Sequence, residues 1–211
     1  MFSDQTWLAR LIWTALVCVA LWAVFEWQLE LAFVALVTLA LSMAPVFVAK
    51  WADIRVPPSF VAALVIFLAG TLFLGEVIDL YGRLWWWDMV MHASSAIGFG
   101  LIGFVLVFMM FQGDRYAAPP IALAFFACCF AITIGTLWEL FEFGMDQVFG
   151  FNMQKSGLMD TMSDLIVNMF GAVIGAASGF AYLKGQARGG LAGMIDEFVR
   201  RNPRFFKRWT K

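Results

Sequence analysis

The sequence predicts an all-α polytopic membrane protein that crosses the bilayer six times, with both termini on the cytoplasmic side. Three observations lead there. The 211 residues are 63% hydrophobic and 14% charged, with a mean hydropathy of +0.83, outside the range of soluble globular domains. Uncharged runs occupy 11–25, 31–49, 56–75, 116–138 and 165–183, and a further run at 89–113 is interrupted only by His92. A helix needs roughly 20 mostly apolar residues to cross the hydrocarbon, and these runs meet or approach that length. They lack the period-two alternation of a membrane barrel, which excludes strands. Finally, the basic residues are distributed very unevenly between alternate loops.

Each element follows from its local signals. The first helix, 8–26, reaches spanning length if Trp7 to Arg10 snorkels into the interface. A single basic residue and no small-x-small motif before Glu26 mark it as a retained helix rather than a cleaved signal. The second is expected at 30–49, and the third, at 58–79, begins at Pro57-Pro58. The fourth covers 88–112, the fifth starts at Pro119-Pro120 and covers 119–146, and the sixth covers 161–183. Proline is tolerated at a helix start, where its missing N–H costs no hydrogen bond. Residues 1–183 thus form a six-helix transmembrane domain and 184–211 a basic cytoplasmic tail.

With the N-terminus inside, twelve of the fourteen lysines and arginines fall on the cytoplasmic side, leaving Arg83 and Lys155 outside. Ten of the fifteen acids fall on the outer side. Trp7, Trp51 and Trp209 suit an inner aromatic belt, and Trp27 with Trp85, Trp86 and Trp87 an outer one. The expected location is a bacterial cytoplasmic (inner) membrane. Cys18, Cys128 and Cys129 lie inside apolar runs, make no CxxC pattern and read as packing residues. The basic residues accompany no groove-reading motif, so nucleic acid is not an expected partner, and membrane lipids are. In the tail, Leu191, Met194, Ile195, Phe198 and Val199 fall on one helical face among eight basic residues. That pattern suits a helix on an anionic cytoplasmic leaflet.

The candidate functional residues gather at the outer ends of four helices. Glu76 and Asp79 end the third, and Asp88 and His92 open the fourth. Glu139, Glu142 and Asp146 end the fifth within about 60° of arc. Asp160, Asp164 and Asn168 open the sixth within about 80°. Carboxylates at helix N-termini complement the dipole, and Thr161-x2-Asp164 has the form of a capping box. Capping does not account for acids at helix C-termini, where the dipole opposes them. Nor does it explain depth, since Glu139 lies about 10 Å further in than Asp146. Ionisable groups at such depth face a bundle interior or a watery cavity.

Converging carboxylates need a cation, shared protons or arginine, because a like-charge pair at 4 Å costs about 4 kcal/mol at an effective dielectric of 20. Asp88, His92, Glu139 and Asp164 are the candidate metal ligands, for Mg²⁺, Mn²⁺, Ca²⁺ or Zn²⁺. Glu139 and Glu142 are the candidate catalytic bases, and Glu76, Asp79, Asp160 and Asn168 complete a polar pocket. One histidine in the whole chain is too few for a di-iron bundle. Gly171, Gly175 and Gly179 share the face of Asp160, Asp164 and Asn168, so that face is expected against another helix. Asp88, His92, Gly103 and Phe104 match Asp164, Asn168, Gly179 and Phe180 at identical offsets, an internal echo that suggests parallel repeats.

Asp88-x3-His92, Trp138-Glu139 with Glu142, and the run from Asp160 through Asp164 and Asn168 to Gly171-Ala172 resemble the YjdF-like family of bacterial inner-membrane proteins. More distantly they resemble the VanZ-like proteins, although Met89 stands where those carry a basic residue. The resemblance covers helices three to six and implies a multi-pass membrane protein without a settled activity. Its VanZ-like branch implies a link to glycopeptide resistance. The residues themselves suggest an outward-facing metal-dependent site that binds or acts on a lipid headgroup or lipid-linked envelope precursor. An ion-coupled transporter and a non-catalytic membrane binding or assembly protein are the alternatives, and the oligomeric state stays open. The topology makes a direct prediction: reporter fusions after Arg115 and at Lys211 read cytoplasmic and one after Lys155 reads external, whereas an external C-terminus overturns it.

Overall fold

A computed structural model describes residues 4–111, 118–186 and 189–206. Among these residues all regular structure is helical, and six helices are long and apolar enough to cross a membrane. Arg115, Arg188, Lys207, Arg208, Trp209 and Lys211, used above for topology and for the tail, lie outside the described residues. The chain forms two compact units, Met1–Trp87 and Asp88–Lys211.

In the first unit, α1 (Trp7–Phe25) begins where the Thr6 hydroxyl accepts the Ala9 N–H at 3.2 Å. It pairs with α2 (Leu29–Trp51), and the two are tied by the Trp13 indole N–H, which donates to the buried Ser42 hydroxyl at 3.0 Å. Ala9, Trp13, Val46, Val61, Ala62 and Val65 close the core of this unit around α3 (Pro58–Leu68). The third span departs from the uniform α-helix expected, because from Ala69 to Val77 its hydrogen bonds run in the wider π pattern. Two contacts fall within the rewound segment. The Trp87 indole donates to the Gly70 carbonyl at 3.3 Å, and the Tyr81 ring occupies the place a Cβ on Gly75 would take. The span then stops at Asp79, whose φ of 60° cannot continue a right-handed helix. A single turn, α4 (Leu80–Arg83), follows.

The second unit is built on α5 (Trp87–Phe111), α6 (Pro120–Phe149) and α7 (Leu158–Leu183). Each carries a buried stripe of small residues: Ala96, Gly100 and Gly103 on α5, Ala124, Ala127 and Ala131 on α6, and Gly171, Gly175 and Gly179 on α7. The expected closeness of the glycine face is observed. A Cβ on Gly171 would meet the Ala93 carbonyl oxygen, and one on Gly175 would lie 2.9 Å from the Gly100 Cα. Lacking side chains there, α5 and α7 meet backbone to backbone. Gly135 of α6 leaves room for the Asn168 amide, whose Nδ2 would lie 2.8 Å from an added Cβ.

The capping box expected at Thr161 and Asp164 does not form. The helix begins earlier, at Leu158, with Gly157 as its N-cap at a φ of 65°, so Thr161 and Asp164 are already helical. The Thr161 hydroxyl instead accepts from the Gln154 amide at 2.6 Å. At the opposite end of the unit, α8 (Gly190–Arg201) forms the tail helix. Its Ile195 and Val199, together with Phe206, pack into a core with Phe104, Phe108 and Leu123. The Phe108 and Phe206 rings stack with centroids 5.4 Å apart. The apolar face of the tail is therefore buried on the bundle, and the ion pairs Arg200–Asp196 and Arg201–Glu197 line its more exposed side.

Close helix approach at the glycines makes a paired prediction. Gly171→Val should lower stability by about 1–3 kcal/mol or prevent folding, because the obstacle is backbone and cannot swing aside. Gly98→Ala, with nothing within 4 Å of the added carbon, should leave the melting temperature unchanged or slightly raised. Thermal unfolding of both variants in detergent checks it, and equal loss in the two would remove the packing argument.

Candidate functional site

The three small-residue stripes of the second unit end in polar side chains at one common level. Continuing the α5 stripe by one turn from Ala96 reaches His92; continuing Ala131 and Gly135 on α6 reaches Glu139; extending Gly171 on α7 reaches Asn168 and Asp164. All four side chains are buried, with relative exposures of 8% for His92, 4% for Glu139, and 2% each for Asp164 and Asn168. The seam that brings the backbones together thus delivers one imidazole, two carboxylates and an amide into the same interior space.

The imidazole of His92 stands between two acidic sets. Its Nε2 lies 3.5 Å from Asp88 Oδ1 and 4.0 Å from Asp164 Oδ2. Its Nδ1 lies 3.5 Å from Glu139 Oε1 and 3.4 Å from the Asn168 side-chain nitrogen. Two groups of donors have their ligand atoms within 4.8 Å of one another: Asp88, His92 and Asp164, and His92, Glu139 and Glu142. The Glu142 Oε1 also accepts the Trp138 indole N–H at 2.9 Å. Both oxygens of Glu139 and the Asn168 Oδ1 are buried without a hydrogen-bond partner among the described residues. The Thr161 hydroxyl faces Glu139 from α7 but does not reach hydrogen-bond geometry.

Charge is lopsided around this centre. Between residues 88 and 183 the sequence holds seven acids and two basic residues, Arg115 and Lys155. The Lys155 charge acts on Asp88 and Asp160, at the more open edge of the cluster. Carboxylates so close in a low-dielectric interior repel by several kcal/mol unless a cation or protons intervene. Separations of 3.5–4.0 Å exceed those of charge-assisted hydrogen bonds. They suit oxygen and nitrogen atoms that each contact one ion at about 2.0–2.3 Å.

Of the residues singled out from sequence, Asp88, His92, Glu139, Glu142, Asp164 and Asn168 come together here. Asp160 stands in the first turn of α7, within electrostatic reach of Asp88 and His92. Glu76 and Asp79 belong to the first unit, where both are exposed and Asp79 lies 3.9 Å from Arg83. Asp146, on the same stripe as Glu139, has a local task instead: its two oxygens accept the N–H groups of Met153 and Gln154 at 2.7 and 2.9 Å and hold the turn after α6. Sequence reasoning did not single out Gly135, though its place one turn before Glu139 on the polar stripe was a signal that something bulky faces it.

Comparison with known proteins adds a family and no chemistry. Over 103 residues the chain is 28% identical to an uncharacterized protein of Thermotoga maritima, a match that covers 46% of this chain and 50% of that one. The chain therefore spans about half the length of this curated relative. No solved structure matches it significantly. The model of the DUF2238 family, described as predicted membrane proteins, matches residues 8–185, covering all six apolar helices and the acidic cluster between α5, α6 and α7. The chain belongs to this DUF2238 family of predicted membrane proteins, to which the YjdF-like resemblance corresponds.

Proposed function

We propose that this chain is a bacterial inner-membrane protein that holds a divalent cation on Asp88, His92 and Asp164 at the outward-facing end of its second unit. There it binds or acts on the phosphate of a lipid headgroup or lipid-linked envelope precursor. One observation carries the reading: a buried carboxylate, Asp164, and a half-buried one, Asp88, flank a single imidazole at separations that fit shared coordination rather than hydrogen bonding. Two carboxylates and one neutral imidazole nitrogen balance the charge of one divalent ion. Such an ion supplies a Lewis acid that draws phosphate oxygens toward it.

The remaining side chains have roles that follow from placement. Asp88, with 26% of its side chain exposed, marks the open edge through which a headgroup oxygen would approach. Lys155 adds positive charge at that edge and favours an anionic ligand. Glu139 and Glu142 lie beside the ion rather than around it, where a carboxylate can accept a proton from an attacking water. At the other end of the unit, the basic residues of α8 would meet the anionic cytoplasmic leaflet. A proton or ion carrier is the second reading, favoured by the continuous run of acids on both edges of His92.

Metal content and thermal stability of the purified protein test the proposal. Saturating Mn²⁺, Mg²⁺ or Zn²⁺ at about 100 times its Kd should stabilise the wild type by about 2.7 kcal/mol. For a chain of this size that raises the melting temperature by about 5–10 °C. Asp164→Asn keeps the volume and removes a ligand charge, so the part of the stabilisation that comes from the ion on this edge should be lost and the response reduced. A wild type that contains no metal and ignores added cations would remove the proposal and leave the carrier, tested by flux into proteoliposomes, ahead.

A further inference from the structure

The ion proposed on the Nε2 edge of His92 leaves the other edge of the same ring unexplained. Glu139 faces Nδ1, not Nε2, and Glu142 brings a carboxylate oxygen within 4.8 Å of both Glu139 and the imidazole. We infer that the site is dinuclear: a second divalent cation sits on the Nδ1 edge of His92 between Glu139 and Glu142, with the imidazole bridging the two ions. The inference rests on the proposed first ion and extends it, and it turns Glu139 and Glu142 from proton acceptors beside that ion into ligands of the second.

Glu139 provides the central observation. It is 4% exposed, and neither of its oxygens has a hydrogen-bond partner among the described residues. A buried carboxylate left in that state costs several kcal/mol, so its surroundings must supply positive charge or a donor. Lys155 acts on Asp88 and Asp160, at the other edge. The Asn168 side-chain nitrogen is hydrogen-bonded to Nδ1 at 3.4 Å, a contact the second ion would displace, and its Oδ1 is buried and unpartnered, one more acceptor in the same interior. The Thr161 hydroxyl facing Glu139 brings no positive charge, and carboxylates, an imidazole nitrogen and an amide oxygen together form a set that a cation would complete.

Geometry and charge support one ion per edge. The two lone-pair directions of an imidazole diverge, so a single ion contacts only one ring nitrogen. His92, Glu139 and Glu142 bring their ligand atoms within 4.8 Å of one another, as Asp88, His92 and Asp164 do on the opposite edge. Each set holds two carboxylates, which neutralise one divalent charge. Trp138 occupies Oε1 of Glu142 at 2.9 Å and leaves Oε2 for the ion. A neutral imidazole carries one N–H, so coordination at both nitrogens requires that proton to leave. The second ion is therefore taken up with release of one proton to the solvent. Nitrogen bridging with mixed N and O donors favours Zn²⁺, Mn²⁺ or Co²⁺ over Mg²⁺.

Stoichiometry separates the two claims. Full-length protein in detergent, equilibrated with Zn²⁺ and passed through a desalting column, should retain two ions per chain by elemental analysis. Asp88→Asn or Asp164→Asn should lose the ion on one edge, and Glu139→Gln or Glu142→Gln the ion on the other, leaving one in each case. These near-isosteric pairs guard against a single variant that fails to fold, and size-exclusion profiles identify any that does. In Mn²⁺-loaded wild type, two ions about 6 Å apart, given metal–nitrogen distances near 2.1 Å, should show a spin-coupled electron paramagnetic resonance spectrum. Every single-edge variant should convert it to that of an isolated ion. One ion in the wild type, lost from the aspartate variants and kept in the glutamate variants, would overturn the second ion and leave the proposed function standing. No retained ion would overturn both.

Discussion

Close approach of α5 to α7 at Gly100, Gly171 and Gly175 is the constraint on which the second unit depends. In a bilayer, lipid tails compete equally for apolar side chains, so helices gain little by burying leucine against leucine. Backbone contact through small residues gains dispersion and costs little side-chain entropy. Here that contact has a second consequence. With no side chains filling the seam, the first large groups on each helix beyond the small residues meet one another, and they are His92, Glu139, Asp164 and Asn168. The packing that stabilises the unit also places its most costly residues together.

The two ends of this unit are built on opposite chemistry. At one, Phe104, Phe108, Leu123, Ile195, Val199 and Phe206 form an apolar core, and α8 folds back to complete it. The aromatic stacking between Phe108 and Phe206 joins the tail to the bundle directly. At the other end, carboxylates crowd around an imidazole with unpartnered oxygens. A well-packed end is a suitable base for a cluster whose carboxylates repel one another.

The amphipathic tail illustrates how a correct local pattern underdetermines its setting. Leu191, Met194, Ile195, Phe198 and Val199 were legible as one apolar face, and the helix forms over Gly190–Arg201. Periodicity reports that such a face is covered but not by what. A leaflet and a bundle of Phe108 and Leu123 satisfy the same stripe, and in the structure Ile195 and Val199 lie on the bundle. The capping pattern at Thr161 failed for a related reason. Gly157 offers a left-handed start one turn earlier, and Gln154 takes the hydroxyl, neither of which a four-residue motif contains.

By itself the sequence determined the class, the six apolar helices and the identity of the polar stripes, because uncharged length and helical period are one-dimensional properties. It also marked the α7 glycines as a contact face, since small residues at every fourth position have few other uses in a membrane. Tertiary structure alone decided which stripes meet, and how. Only three-dimensional packing sets Asp88 and Asp164 against Nε2 and Glu139 against Nδ1, and it divides one acidic list into two donor sets. It also gave Asp146 to the turn that follows α6. The physical reason is that a helical stripe fixes the direction of a side chain about its own axis, whereas the edge of a ring it faces depends on the rotation and depth of two helices together.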